Sequence, residues 1–142
     1  MKPDVMLTVS SLLSILFFMF HLADDIVRGF EKGGLSNLTA VPIFVVWLYG
    51  TLMLAGRRSG YVITLLGGLL SLAALVLHAR GAGLVGGGLA NTSGVFFWVF
   101  TLLALGVTGL FSAVLSARGL WGLRRGRSRR PDNPETESPA HG

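Results

Sequence analysis

The strongest constraint on this 142-residue chain is where charge is missing. Residues 5–23, 38–55, 61–79 and 95–117 form runs of 18 to 23 residues, and none of them contains Asp, Glu, Lys or Arg. A helix needs about 20 apolar residues to cross a hydrocarbon core of roughly 30 Å. Inside that core every backbone N–H and C=O must be satisfied within the segment, which favours helix. The pattern therefore predicts an all-α membrane protein: a four-transmembrane-helix antiparallel bundle with short loops, occupying residues 1–117. An Arg-rich juxtamembrane segment at 118–130 and a disordered C-terminal tail at 131–142 follow it.

Charged residues make up only 13% of the chain, about half the share usual in soluble domains. With no cysteine, disulfides, thiolate metal sites and thiol catalysis are excluded. The net charge of +5 does not point to nucleic acid, because the Arg residues gather at the boundaries of the apolar runs. The first run follows Lys2 as a signal peptide would. It is longer than a secretory h-region, and His21 would fall where a small residue is expected before cleavage, so a retained helix is expected.

Four spans place both ends of the chain on one side. That side would carry nine cationic residues (Lys2, Arg57, Arg58, Arg118, Arg124, Arg125, Arg127, Arg129 and Arg130), against Arg28, Lys32 and Arg80 on the other. The positive-inside bias then puts both termini and the 56–60 turn in the cytoplasm. The Arg- and Gly-rich style suggests a bacterial inner (plasma) membrane. Loops 24–37 and 80–94 would face outward, the second being Gly-rich and read as a flexible connector. Helix one should stop at Gly29, a residue suited to a left-handed C-terminal cap, and Thr39 should cap helix two with Pro42 in its first turn. Arg118, Arg124, Arg125, Arg127, Arg129 and Arg130, with Trp121, are expected to meet anionic lipid headgroups. His141 lies in the polar tail and is expected to be solvated.

Polar residues inside the spans are phased. In helix one Ser11, Ser14, Phe18, His21, Asp25 and Arg28 follow a 3-4 alternation, the seam of a left-handed helix pair. Thr64, Gly67, Ser71, Ala74 and His78 repeat it in helix three, and Thr101, Ala104, Thr108 and Ser112 form a row in helix four, with Gly109 and Ala113 four apart. Small residues of this kind allow close helix approach and offer faces for association with a second copy or another membrane protein.

His21 and His78 would both lie near the outer surface, on the polar faces of their helices. Asp24 and Asp25 follow His21 at i+3 and i+4. The candidate site is therefore His21, Asp24, Asp25 and His78, with Arg28 and Arg80 nearby. Two imidazoles and a carboxylate suit a divalent metal such as zinc or iron. Two histidines on neighbouring helices can also ligate haem, and an imidazole beside a carboxylate can move protons or ions. The plain alternative is an Asp24–Arg28 ion pair with two histidines that only meet interfacial water. A shared metal requires the two rings to meet; a separation beyond about 15 Å rules it out, since ligand bonds are near 2 Å. Ser14 and Ser71 sit one heptad from the histidines, about 10 Å along the axis, too far for a Ser–His hydrogen bond.

In size and span count the chain resembles small multidrug exporters and fluoride channels, which have four short helices and act as dimers. Helix one has no counterpart of the exporters' membrane-embedded Glu, and helices two and three have no polar filter, so no residue role follows from either resemblance. The expected function is a non-enzymatic helper, scaffold or subunit associating through small-residue faces. The alternatives are a metal- or haem-binding protein using His21 and His78, and a small dimeric transporter with its pathway along the Ser14–Ser71 seam.

Overall fold

The computed structural model describes residues 3–31, 33–81 and 94–127. Most of the Gly-rich loop at 80–94 lies outside the described residues, as do Lys2, Lys32, Arg129, Arg130, His141 and the tail at 131–142. The described chain is helical: α1 (Pro3–Val27), a short 3₁₀ turn (Leu35–Thr39), α2 (Ala40–Leu52), α3 (Arg58–Gly81) and α4 (Val95–Arg127).

α1 ends as its sequence predicts. Gly29 takes a φ of +76°. The Phe30 N–H reaches back to the Asp25 carbonyl and the Gly29 N–H to that of Ile26, closing a Schellman motif that satisfies two terminal carbonyls. Gly56, at φ +74°, turns the chain between α2 and α3. Thr39 does precede α2, but its side chain makes no capping hydrogen bond.

Among the described residues three helices are long and apolar enough to cross a membrane. α2 alone is not. It has 13 residues, about 20 Å at 1.5 Å per residue against a core of roughly 30 Å. The expected second span at 38–55 is thus divided: its start joins the 3₁₀ turn and its end unwinds into the turn before α3. Pro42 explains the late start, because its ring is tolerated only in the first turn of an α-helix. α4 departs in the opposite direction. It runs 33 residues, about 50 Å, ten residues beyond the expected end at 117.

α4 is the central helix, packed most extensively on α3 and then on α1, while α1 and α3 touch more sparingly. Glycine makes the α3–α4 approach close. A Cβ on Gly68 would lie 2.7 Å from the Gly109 carbonyl oxygen, and one on Gly109 would lie 2.5 Å from the Ser71 Cβ. The interior is small and polar: Ser11, Ser14, Ser71, Thr101, Ser112 and Ser116 are fully buried, as are Trp98, Leu102 and Leu105. Large apolar side chains such as Leu66, Leu77, Phe96, Val45 and Phe111 point outward. Water would penalise that arrangement and lipid would not, so it is compatible with an α-helical membrane bundle.

The hydroxyls are satisfied locally or across helices. Trp47 Nε1 donates to Ser11 Oγ (2.9 Å), Ser11 pairs with Thr51 (2.8 Å), and Thr64 pairs with Ser116 (2.7 Å). These links tie the short α2 to α1 and α3 to α4. Gly67 is needed here, since a Cβ at that position would sit 2.1 Å from the Trp47 indole.

Candidate functional site

The site is built at the end of the bundle where α1 and α3 finish and α4 begins. α1 presents His21 and Asp25 one turn apart, α3 presents His78 three residues before its end, and α4 presents Trp98 and Thr101 in its first two turns. The His21 and His78 rings meet edge to face with centroids 4.8 Å apart, far inside the 15 Å limit derived above. Trp98 packs beside both rings, at 5.3 and 5.6 Å. His21 is 3% exposed and Asp25 4% exposed, so two of the three ionisable groups are removed from water. His78 is half-buried and forms the open side.

One carboxylate oxygen is the focus. Asp25 Oδ2 lies 3.2 Å from His78 Nε2 and 3.6 Å from His21 Nε2. One ligand atom from each of the three residues falls within 4.8 Å of the other two. Ligands of a tetrahedral metal site with bonds near 2.05 Å stand about 3.3 Å apart, so small ring rotations bring all three onto one ion.

The far side of every group is engaged. His78 Nδ1 is 2.8 Å from the Ala74 carbonyl oxygen, which can only accept, so Nδ1 carries a proton. Thr101 donates its hydroxyl hydrogen to the Trp98 carbonyl (3.1 Å), leaving its oxygen to accept from His21 Nδ1 at 3.4 Å. The Trp98 indole N–H donates to Asp25 Oδ1 (2.8 Å). His78 Nε2 lies at hydrogen-bond distance from Asp25 Oδ2, and with both imidazoles neutral in this tautomer the two Nε2 lone pairs and the carboxylate oxygen would be three acceptors facing one another. His21 Nε2 is accordingly buried without a hydrogen-bond partner. Such an arrangement is relieved by a cation, either a proton on an imidazole or a metal ion. Fixing Nδ1–H on a carbonyl or hydroxyl while Nε2 is presented is also how proteins orient metal-ligating histidines.

Asp24 is not part of this set. Its carboxylate accepts from Arg28 Nε at 2.7 Å, the i,i+4 ion pair that the sequence offered as the plain alternative. His21 therefore has two acidic neighbours at helical spacing, and the fold brings only Asp25 to the imidazoles. Arg28 also lies against Gly94, where a Cβ would fall 2.7 Å from its guanidinium.

The haem alternative does not fit. Two imidazoles trans across an iron place their ring centroids about 6 Å or more apart, with the porphyrin plane between them. At 4.8 Å and edge to face, these rings leave no such plane. Ser14 and Ser71 donate to the carbonyls of Ser10 and Gly67, so both hydroxyl hydrogens are engaged one turn back in their own helices. The small-residue faces on which association was expected are largely used within the chain, since Gly67, Gly68, Gly109 and Ala113 are all buried between helices.

Trp98 and Thr101 were absent from the sequence-derived site. A signal for Trp98 existed: with Leu105 in place of Ala104, the α4 row extends back one step to positions 98, 101, 105, 108 and 112, a 3-4 alternation. At the opposite end of α4, Arg118, Trp121, Arg124 and Arg125 are exposed, and the Arg125 guanidinium lies 4.5 Å from the Trp121 ring centre.

No protein-family model, curated protein or solved structure matches this chain.

Proposed function

We propose that this chain is a small multi-span protein of a bacterial inner membrane, with both termini cytoplasmic. In this reading it is a non-enzymatic helper or subunit that holds one divalent transition-metal ion at its outer rim through His21, Asp25 and His78. The observation that carries the metal reading is the convergence of two imidazole Nε2 atoms and one carboxylate oxygen, with His21 Nε2 buried and without a hydrogen bond. Imidazole and carboxylate without thiolate favour Zn²⁺ or Fe²⁺ among the common ions. Three protein ligands leave a coordination position open beside half-buried His78, on the side toward the surface.

The test uses full-length protein purified in detergent without a polyhistidine tag. Elemental analysis after dialysis against Zn²⁺ or Fe²⁺ is expected to find one ion per chain. His21→Ala and His78→Ala should each abolish retention while helicity is kept. Protein that takes up neither ion, or takes up zinc equally well in both variants, overturns the reading. Orientation is tested separately, because the chain has no native cysteine. Leu35→Cys should react with an impermeant maleimide in intact cells and Arg57→Cys should not; the reverse result overturns the topology.

A further inference from the structure

A second site stands at the opposite end of the bundle. A groove of about 410 Å³ lies where the start of α1, the start of α3 and the inner part of α4 meet. Its apolar walls include Met6, Leu7 and Leu115, while Asp4 and Arg118 supply a carboxylate and a guanidinium to the same groove. Gly119 places Tyr61 here: a Cβ on that glycine would sit 2.3 Å from the Tyr61 ring, so the ring lies directly on the α4 backbone. From that position the Tyr61 hydroxyl donates to Asp4 Oδ1 at 2.9 Å. The bond orients the carboxylate and leaves Oδ2 able to accept.

Asp4 and Arg118 line one groove with opposite charge, yet among the described residues no ion pair joins them. Two unlike charges that do not pair with each other beside apolar walls complement a zwitterion attached to a hydrocarbon chain. We propose that this groove binds phosphatidylethanolamine, with the phosphate on Arg118, the primary ammonium on Asp4 and an acyl chain along Met6, Leu7 and Leu115. Guanidinium recognises phosphate through charge-assisted hydrogen bonds. A carboxylate accepts from a primary ammonium in the same way, whereas a choline headgroup has no N–H to donate. A purely anionic headgroup would satisfy Arg118 but would meet repulsion from Asp4. The proposal rests on the bilayer reading above and is independent of the metal at the other end.

Native mass spectrometry of the full chain tests it. Protein released from detergent is presented with dioleoyl phosphatidylethanolamine, phosphatidylcholine and phosphatidylglycerol in equal amounts. The wild type is expected to retain the ethanolamine lipid at least tenfold over the other two. Asp4→Asn should lower that retention to the choline level, and Arg118→Gln should lower ethanolamine and glycerol lipids together. Equal retention of ethanolamine and choline lipids overturns the proposal. So does a preference for phosphatidylglycerol that Asp4→Asn leaves unchanged, since that describes only a cationic surface. The helical circular-dichroism signal of each variant in detergent, equal to that of wild type, reports that the bundle is intact. Protein that remains in solution without detergent would instead remove the bilayer reading on which the site depends.

Discussion

Replacing Asp25 by Asn separates the metal reading from a purely structural one, because the two predict opposite orders of stability. In the metal-free protein Asp25 Oδ2 faces two imidazole nitrogens at 3.2 and 3.6 Å, with no donor among them unless an imidazole takes up a proton. In Asp25→Asn the Oδ1 contact with the Trp98 indole is kept, and the new amide donates to His78 Nε2. One net hydrogen bond is gained, about 1 kcal/mol. At a pH high enough to keep both imidazoles neutral, the variant should therefore be about 1 kcal/mol more stable than wild type in chelator. Free Zn²⁺ at 100 times the wild-type Kd stabilises the wild type by about 2.7 kcal/mol through mass action. Loss of the only charged ligand should weaken binding about 100-fold, so the same zinc adds only about 0.4 kcal/mol to the variant. Denaturation in detergent micelles, with EDTA and with buffered zinc, measures all four states. The order of wild type and variant should reverse between the two conditions. If Asp25→Asn is the weaker protein in EDTA, or gains as much from zinc as wild type, the acceptor-convergence argument is wrong.

Other outcomes follow from the same geometry. Trp98→Phe keeps the ring but removes the N–H that holds Asp25 Oδ1 at 2.8 Å; zinc affinity measured by chelator competition should fall 10- to 100-fold, the range typical of groups that orient a ligand. Lowering pH should release zinc from the wild type, since ligand nitrogens must be deprotonated, and binding that does not vary with pH would exclude imidazole ligands. Gly109→Ala puts a methyl group 2.5 Å from the Ser71 Cβ and should cost about 1–3 kcal/mol by forcing α3 from α4. Gly122→Ala, with nothing within 4 Å of its Cβ, should be neutral or stabilising by up to about 1 kcal/mol; equal losses at both positions would mean that α3 and α4 do not pack as described.

Much of the architecture was legible because hydropathy and helix phase are local properties. Charge-free runs announce helices suited to lipid. Gly29 announces a helix end because only glycine enters the left-handed region at no steric cost. The 3-4 alternation of Ser11, Ser14, His21 and Asp25 announces an inward face, and all four are buried. The division of the second run was less legible. Residues 38–55 read as one apolar block, but Pro42 and the tight turn at Gly56 leave only 13 residues of α-helix.

Taken alone, the chain of letters determined which segments are greasy helices and which of their faces carry polar atoms, since both depend on residues a few positions apart. The tertiary structure alone decided which acid joins the imidazoles. Asp24 and Asp25 stand equally well placed beside His21 by helical spacing. Arg28 draws one aside, and the Trp98 indole from α4, 73 positions away, holds the other against His78. That choice turns on how three helices cross, and crossing geometry is set by packing between distant segments rather than by any local pattern.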